Sequence, residues 1–137
     1  MIALDTNVLV RYLVRDHPTQ SEAARVLVAS LTRDNPGFVC REVIVELVWV
    51  LGRPYGTPRE RIGKILLGLL GAESIVIESA EDVAGAALAY ARGVEDFADL
   101  MVLAAARRAE ATPLYTFDHR ASRVDGVRLL AADEASL

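Results

Sequence analysis

With 137 residues, 53% of them hydrophobic and 25% charged, the chain is long enough for one domain with its own core and too apolar to be disordered. Fifteen basic residues against 19 acidic ones leave a net charge of −4, which excludes a broad positive field and makes any phosphate contact a local one. No uncharged run reaches the ~18 residues of a membrane span; the longest apolar stretches, Ile65–Ala72 and Leu100–Ala106, fall well short.

Met1–Leu4 reads as a buried strand, and Asn7–Val14 as a helix that follows it directly. Thr19-Gln20-Ser21-Glu22 has the pattern of a capping box and opens a helix to about Leu31. Phe38-Val39-Cys40 is a second short strand. A helix over Glu42–Leu51 follows and stops near Gly52-Arg53-Pro54. Thr57-Pro58-Arg59-Glu60 is another capping box with Pro at the first helical position, and its helix runs toward Leu70 and ends at Gly71. Ser74–Ile77 is a third strand. Ser79 is expected to cap an Ala-rich helix that Gly93 terminates. Phe97–Arg108 is a further helix, Leu114–Phe117 a fourth strand and Val127–Leu130 a fifth. Strands alternating with helices predict an α/β fold of βαβ units. Its central, mostly parallel sheet of four to five strands carries helices on both faces, in a single domain over residues 1–137. In such sheets ligands bind outside the carboxyl ends of the strands.

Four acids fall where acids are unexpected. Asp5 ends the first strand and Asp118 follows the fourth, both at that carboxyl edge. Glu46 interrupts Val43-Ile44-Val45-Glu46-Leu47-Val48-Trp49-Val50, a helix apolar nearly all round and therefore expected to be mostly buried. Asp99 lies in a first helical turn between Phe97-Ala98 and Leu100-Met101. Singly, each has a plain structural role, as a cap, a partner of the helix dipole, or for Glu46 an ion pair with Arg41 or Arg53. Gathered together, they would repel one another and lose solvation, which raises carboxyl pKa values unless a hard divalent cation intervenes. Zinc is disfavoured by one cysteine and two histidines far apart, His17 and His119. A nucleophilic elbow, a phosphate-binding Gly-rich loop and a dinucleotide fingerprint are all absent from the sequence. Cys40 is the one cysteine, so a reducing cytoplasm is the expected compartment. Met1-Ile2-Ala3-Leu4-Asp5 does not have the form of a signal peptide.

Asp5-Thr6-Asn7 after a strand, Glu46 in an apolar helix, Asp96-Phe97-Ala98-Asp99 opening a helix and Thr116-Phe117-Asp118 after a late strand resemble the PIN domain family. More narrowly they resemble its VapC-type members, the toxin ribonucleases of type II toxin–antitoxin pairs. The resemblance spans nearly the whole chain in the right order. It implies a PIN-like three-layer sandwich in which Asp5, Glu46, Asp99 and Asp118 are the catalytic, metal-holding acids. Magnesium is the implied metal, with manganese as its substitute. Asp99 is preferred over Asp96 as the direct ligand, with Asp96 as a helix cap or outer group. Thr6, Asn7 and Thr116 match supporting positions that orient carboxylates and water. The implied reaction is hydrolysis of RNA phosphodiester bonds, leaving a 5′-phosphate and a 3′-hydroxyl. Implied partners are RNA, a cognate VapB-type antitoxin lying across the active-site groove, and a second copy of the chain in a homodimer.

Arg11, Arg15, Arg41 and Arg120 lie near the expected site edge and are candidates to hold flanking phosphates, although a solvated surface charge is the simpler reading of each. Ile62–Leu70 and Leu47–Leu51 offer more apolar surface than one small core needs, which suits a partner surface. A haloacid-dehalogenase-type phosphatase would need a second Asp where Asn7 stands. A receiver domain would need a late lysine, yet Lys64 is the one lysine and falls mid-helix. A catalytically idle PIN-like RNA-binding or interaction module would be expected to have lost an acid, and all four are present.

Overall fold

The computed structural model describes residues 1–132. Five short strands alternate with six helices in the order β1 (Ile2–Ala3), α1 (Thr6–Val14), α2 (Pro18–Ser30), β2 (Gly37–Val39), α3 (Arg41–Gly52), α4 (Arg59–Gly71), β3 (Ile75–Ile77), α5 (Ala80–Ala91), α6 (Phe97–Arg108), β4 (Leu114–Thr116) and β5 (Val127–Leu129). A single 3₁₀ turn, Ala121–Arg123, lies between the last two strands. The expected α/β alternation is therefore present element by element.

All pairing is parallel, with Ile2 opposite Gly37, Gly37 opposite Ile75 and Leu114 opposite Val127. The expected single sheet of four to five strands is corrected to a three-stranded sheet, β1-β2-β3, and a separate pair, β4-β5. The strands are only two or three residues long, so each ladder ends after a few bonds. Among the described residues β4 pairs with β5 alone, and Leu114 and Leu130 donate to Gly126 O and Thr116 O at 2.9 and 2.7 Å.

The core lies between the sheet and the helices. Leu9, Ile44, Leu47, Leu51, Ile62, Leu66, Val83, Ala87 and Met101 are essentially fully enclosed. Each large aliphatic among them contributes about 1.5–3 kcal/mol through loss of water contact. Much of the apolar excess expected to form a partner surface is used here. Ile62, Leu66, Leu69, Leu47, Val48 and Leu51 are core, and Leu67 and Trp49 remain exposed. Helices α4 and α5 close up at Gly63, where an added Cβ would stand 2.9 Å from Ala91 Cβ. Among the described residues no helix is long and apolar enough to cross a membrane.

Three helix starts differ from expectation. His17, not Thr19, caps α2, its Nδ1 accepting from Gln20 N at 3.2 Å, because Pro18 takes the first helical position. Pro58 rather than Thr57 precedes α4, without a side-chain cap. Ser79 precedes α5 in the left-handed region (φ 55°), a geometry that leaves its hydroxyl off the helix N–H groups.

Candidate metal centre

Three parallel strands deliver their carboxyl ends to one edge, where Asp5, Arg41 and Glu78 follow β1, β2 and β3. Asp5 caps α1, its Oδ1 accepting from Thr6 N at 2.8 Å. Thr6 is 2% exposed, and its hydroxyl has no partner among the described residues. Asn7 is exposed beside it. Glu78 Oε1 accepts from Arg41 N at 2.9 Å and so caps α3 from the neighbouring strand, placing a carboxylate at the positive end of that helix.

The closest gathering of acids forms at the start of α6. Glu95 and Asp96 stand in the turn after α5 and Asp99 in the first turn of α6, with one carboxylate oxygen of each within 4.8 Å of the others. Glu95 was not anticipated from sequence. It is only 2% exposed. Its Oε1 accepts from Asp96 N at 2.7 Å and lies 4.0 Å from Arg120 Nε, while Oε2 has no hydrogen-bond partner among the described residues. Loss of solvation holds the Asp99 carboxyl above its ordinary range, and the negative charges of Glu95, Asp96 and Asp118 push it further.

Asp118 is therefore an electrostatic neighbour of Asp99, though outside the three-acid group. Its Oδ1 accepts from Arg120 N (2.8 Å) and Ala121 N (3.2 Å), and its own N–H donates to Thr116 Oγ1 at 3.0 Å. Asp118 thus caps the 3₁₀ turn, and Thr116 fixes the bend that presents it.

Asp96 is engaged differently. Arg59, from the start of α4, reaches its Oδ1 at 3.1 Å, donates to the carbonyls of Glu95 (2.7 Å) and Tyr90 (3.3 Å), and lies 4.3 Å from the Tyr90 ring centre. One guanidinium thereby fastens the turn that carries Glu95 and neutralises Asp96, while Glu95 has Arg120 at 4.0 Å and Asp99 has no ion pair among the described residues. Arg59→Ala strands two carbonyls and is expected to destabilise the fold by about 1–3 kcal/mol. Thermal denaturation reads the loss, and Arg59→Lys, with fewer donors, should recover only part of it.

A cleft of about 1050 Å³ opens onto two of these acids, Asp96 and Asp99, and is lined also by Glu46, Trp49, Arg53 and Arg120 among others, while Glu95 lies outside its lining. The expected burial of Glu46 is corrected: it is exposed. α3 buries Ile44, Leu47, Val48 and Leu51, while Val45, Glu46 and Trp49 turn to the cleft, so part of the apolar run lines a wall and not the core. The structure thus places Glu46 and Asp99 on one cleft and Asp118 beside Asp99. Asp5 stands at the sheet edge, outside the three-acid group.

The four arginines divide similarly. Arg11 is occupied by Gln20 (2.7 Å), Asp16 (3.2 Å) and Tyr55 (3.5 Å), and the Tyr55 hydroxyl, with Arg11 beside it, lowers the Asp16 pKa. Arg41 is tied to Met101 O (3.0 Å), Ser79 Oγ (3.4 Å) and Asp82 (3.6 Å). Arg15 is exposed, and Arg120 lines the cleft.

A buried carboxylate oxygen without a hydrogen bond is costly, and three clustered carboxylates repel. A hard divalent cation relieves both costs and accepts a few carboxylates with water completing its shell. The donor set therefore fits such a metal. None of the curated proteins searched matches the chain. The family described as PIN domain matches residues 2–127. The chain belongs to the PIN domain family. PIN domains are in general nucleases that use divalent metals, and the acid group of this PIN domain suits that chemistry. The sequence signal for Glu95 was present only as a third acid within Glu95-Asp96-Phe97-Ala98-Asp99. Nothing in the periodicity marks a turn residue as buried.

Proposed function

We propose that this PIN domain, a single domain over residues 1–137, is a Mg²⁺-dependent endoribonuclease and the toxin of a VapBC-type toxin–antitoxin pair. The observation that carries the metal is the enclosed Glu95 oxygen, without a hydrogen-bond partner among the described residues, inside a three-carboxylate group. A bound divalent cation supplies charge neutralisation at the phosphate and activation of a water for in-line attack. Asp99 and Glu95 hold it, and Mn²⁺ replaces Mg²⁺ with the same oxygen donors. Glu46, on the same cleft, and Asp118, beside Asp99, add their carboxylates, while Asp5 contributes from the sheet edge. Thr6, Asn7 and Thr116 orient the acids next to them. Asp96, neutralised by Arg59, positions the turn. Arg15, which is exposed, and Arg120, on the cleft with its Nε 4.0 Å from Glu95, are the arginines placed to meet phosphate, since Arg11 and Arg41 are engaged within the fold.

The carboxylates Glu46 and Asp99 on the cleft, left without a metal, attract a cationic side chain, which suits inhibition by a basic segment of a VapB-type antitoxin. A homodimer acting in the cytoplasm completes the proposal. The test is cleavage of a single-stranded RNA by the purified chain with Mg²⁺, with EDTA, and with Asp5→Asn or Asp118→Asn. Cleavage is expected with Mg²⁺ alone and with the native acids alone. Undiminished cleavage in EDTA would overturn the proposal, and co-expression with the gene beside it tests the toxin role separately.

A further inference from the structure

Trp49 is the chain's one tryptophan, and it is 60% exposed although it sits within a very apolar helix. Its neighbours Leu47, Val48 and Leu51 are core, so the helix is anchored without it. Glu46, Trp49 and Arg53 are spaced three and four residues apart along α3 and its C-cap, and all three line the cleft onto which Asp99 faces. Arg53 is exposed and, among the described residues, has none of the ion pairs that hold Arg41 and Arg59.

We propose that Trp49 and Arg53 form a base-and-phosphate subsite for unpaired RNA. The indole stacks on an unstacked base, and the guanidinium takes a phosphate of the same strand. The scissile bond then lies one helical turn away, toward Glu46 and Asp99. The substrate class is single-stranded, because bases within a duplex offer no free face to an indole. Stacking on an aromatic side chain tolerates any base, so this subsite sets strandedness and register and leaves sequence choice to other contacts. The surroundings of Trp49 favour a base over a protein partner. Subunit-interface cores are depleted of charge, whereas this indole stands between a glutamate and an arginine on a cleft that also carries Asp96, Asp99, Arg59 and Arg120.

The subsite rests on the nuclease reading above, and the experiment separates the two. Because Trp49 is the sole indole, its emission reports on this position alone. The full chain is titrated with a short fluorescein-labelled single-stranded RNA in Ca²⁺, which suppresses cleavage, and with the same sequence as a duplex. Anisotropy and tryptophan emission are followed together. Quenching on single-strand binding is expected, with weaker binding of the duplex. Trp49→Ala should weaken single-strand binding about ten-fold, whereas Trp49→Phe keeps most of it. Arg53→Ala should reduce the salt slope of binding by about one. If RNA binds native protein and Trp49→Ala equally and emission is unchanged, the subsite is wrong and the nuclease reading stands. If no RNA binds, both fall. If Trp49→Ala instead dissolves a dimer without altering RNA affinity, the indole is a subunit contact and the subsite is overturned.

Discussion

Asp99→Asn is expected to cut RNA cleavage at least ~10²-fold while making the metal-free protein more heat-stable at neutral pH. The loss follows if Asp99 is the direct ligand proposed above, since even outer partners of a metal site cost ~10–100-fold. The gain follows from the raised Asp99 pKa, whose causes are lost solvation and then the charges of Glu95, Asp96 and Asp118. Between its unfolded and folded pKa values, the folded chain holds the Asp99 proton more firmly than the unfolded chain. Stability therefore falls as pH rises through that window, and the penalty is complete above the folded pKa. Asparagine removes the penalty. In EDTA the variant should melt above the native protein at pH 7, and the difference should vanish below the ordinary carboxylate range, where Asp99 is protonated in both states. In Mg²⁺ the order narrows or reverses, because only the native protein gains stability from binding. A variant that melts lower than the native protein in EDTA at pH 7 would mean that Asp99 makes favourable contacts the structure does not contain.

Glu95→Gln should behave alike at the metal while leaving the turn intact. Glutamine keeps an oxygen to accept from Asp96 N and removes the enclosed charge. Metal affinity, measured by the Mg²⁺-dependent rise in melting temperature, is expected to fall ~10–100-fold, with cleavage falling in step. Asp96→Asn is the contrast. It loses a solvent-exposed ion pair with Arg59, worth about 1 kcal/mol or less, and should change metal affinity little. If Asp96→Asn abolished binding and Glu95→Gln did not, the assignment of the two acids would be reversed.

Much of the fold was legible because its signals are local. Alternating short apolar runs and amphipathic stretches marked all five strands and six helices, and Asp5 does follow β1 at the carboxyl edge of the three-stranded sheet, whereas Asp118 follows β4 of the separate pair. Failures came where two local signals competed or where burial depends on tertiary packing. At α2 a capping-box pattern lost to Pro18, whose fixed φ suits the first helical position and makes His17 the cap. In α3 the apolar run implied burial all round, yet its cleft side needs only enough apolar surface to form a wall, so Glu46 and Trp49 stay exposed. Whether β4 and β5 join the main sheet depends on pairing between distant strands, which strand propensity does not encode. Glu95 was invisible for a related reason. Its turn is held by Arg59, 36 residues earlier, which donates to the Glu95 carbonyl, a contact no local pattern encodes.

Diffraction at the manganese edge from crystals grown with Mn²⁺ tests the proposed centre most directly. An anomalous peak is expected ~2–2.3 Å from carboxylate oxygens of both Glu95 and Asp99, with Asp96 still held by Arg59. A fully occupied ion elsewhere, or no ion at millimolar Mn²⁺ with Glu95 still enclosed and unpaired, would contradict it.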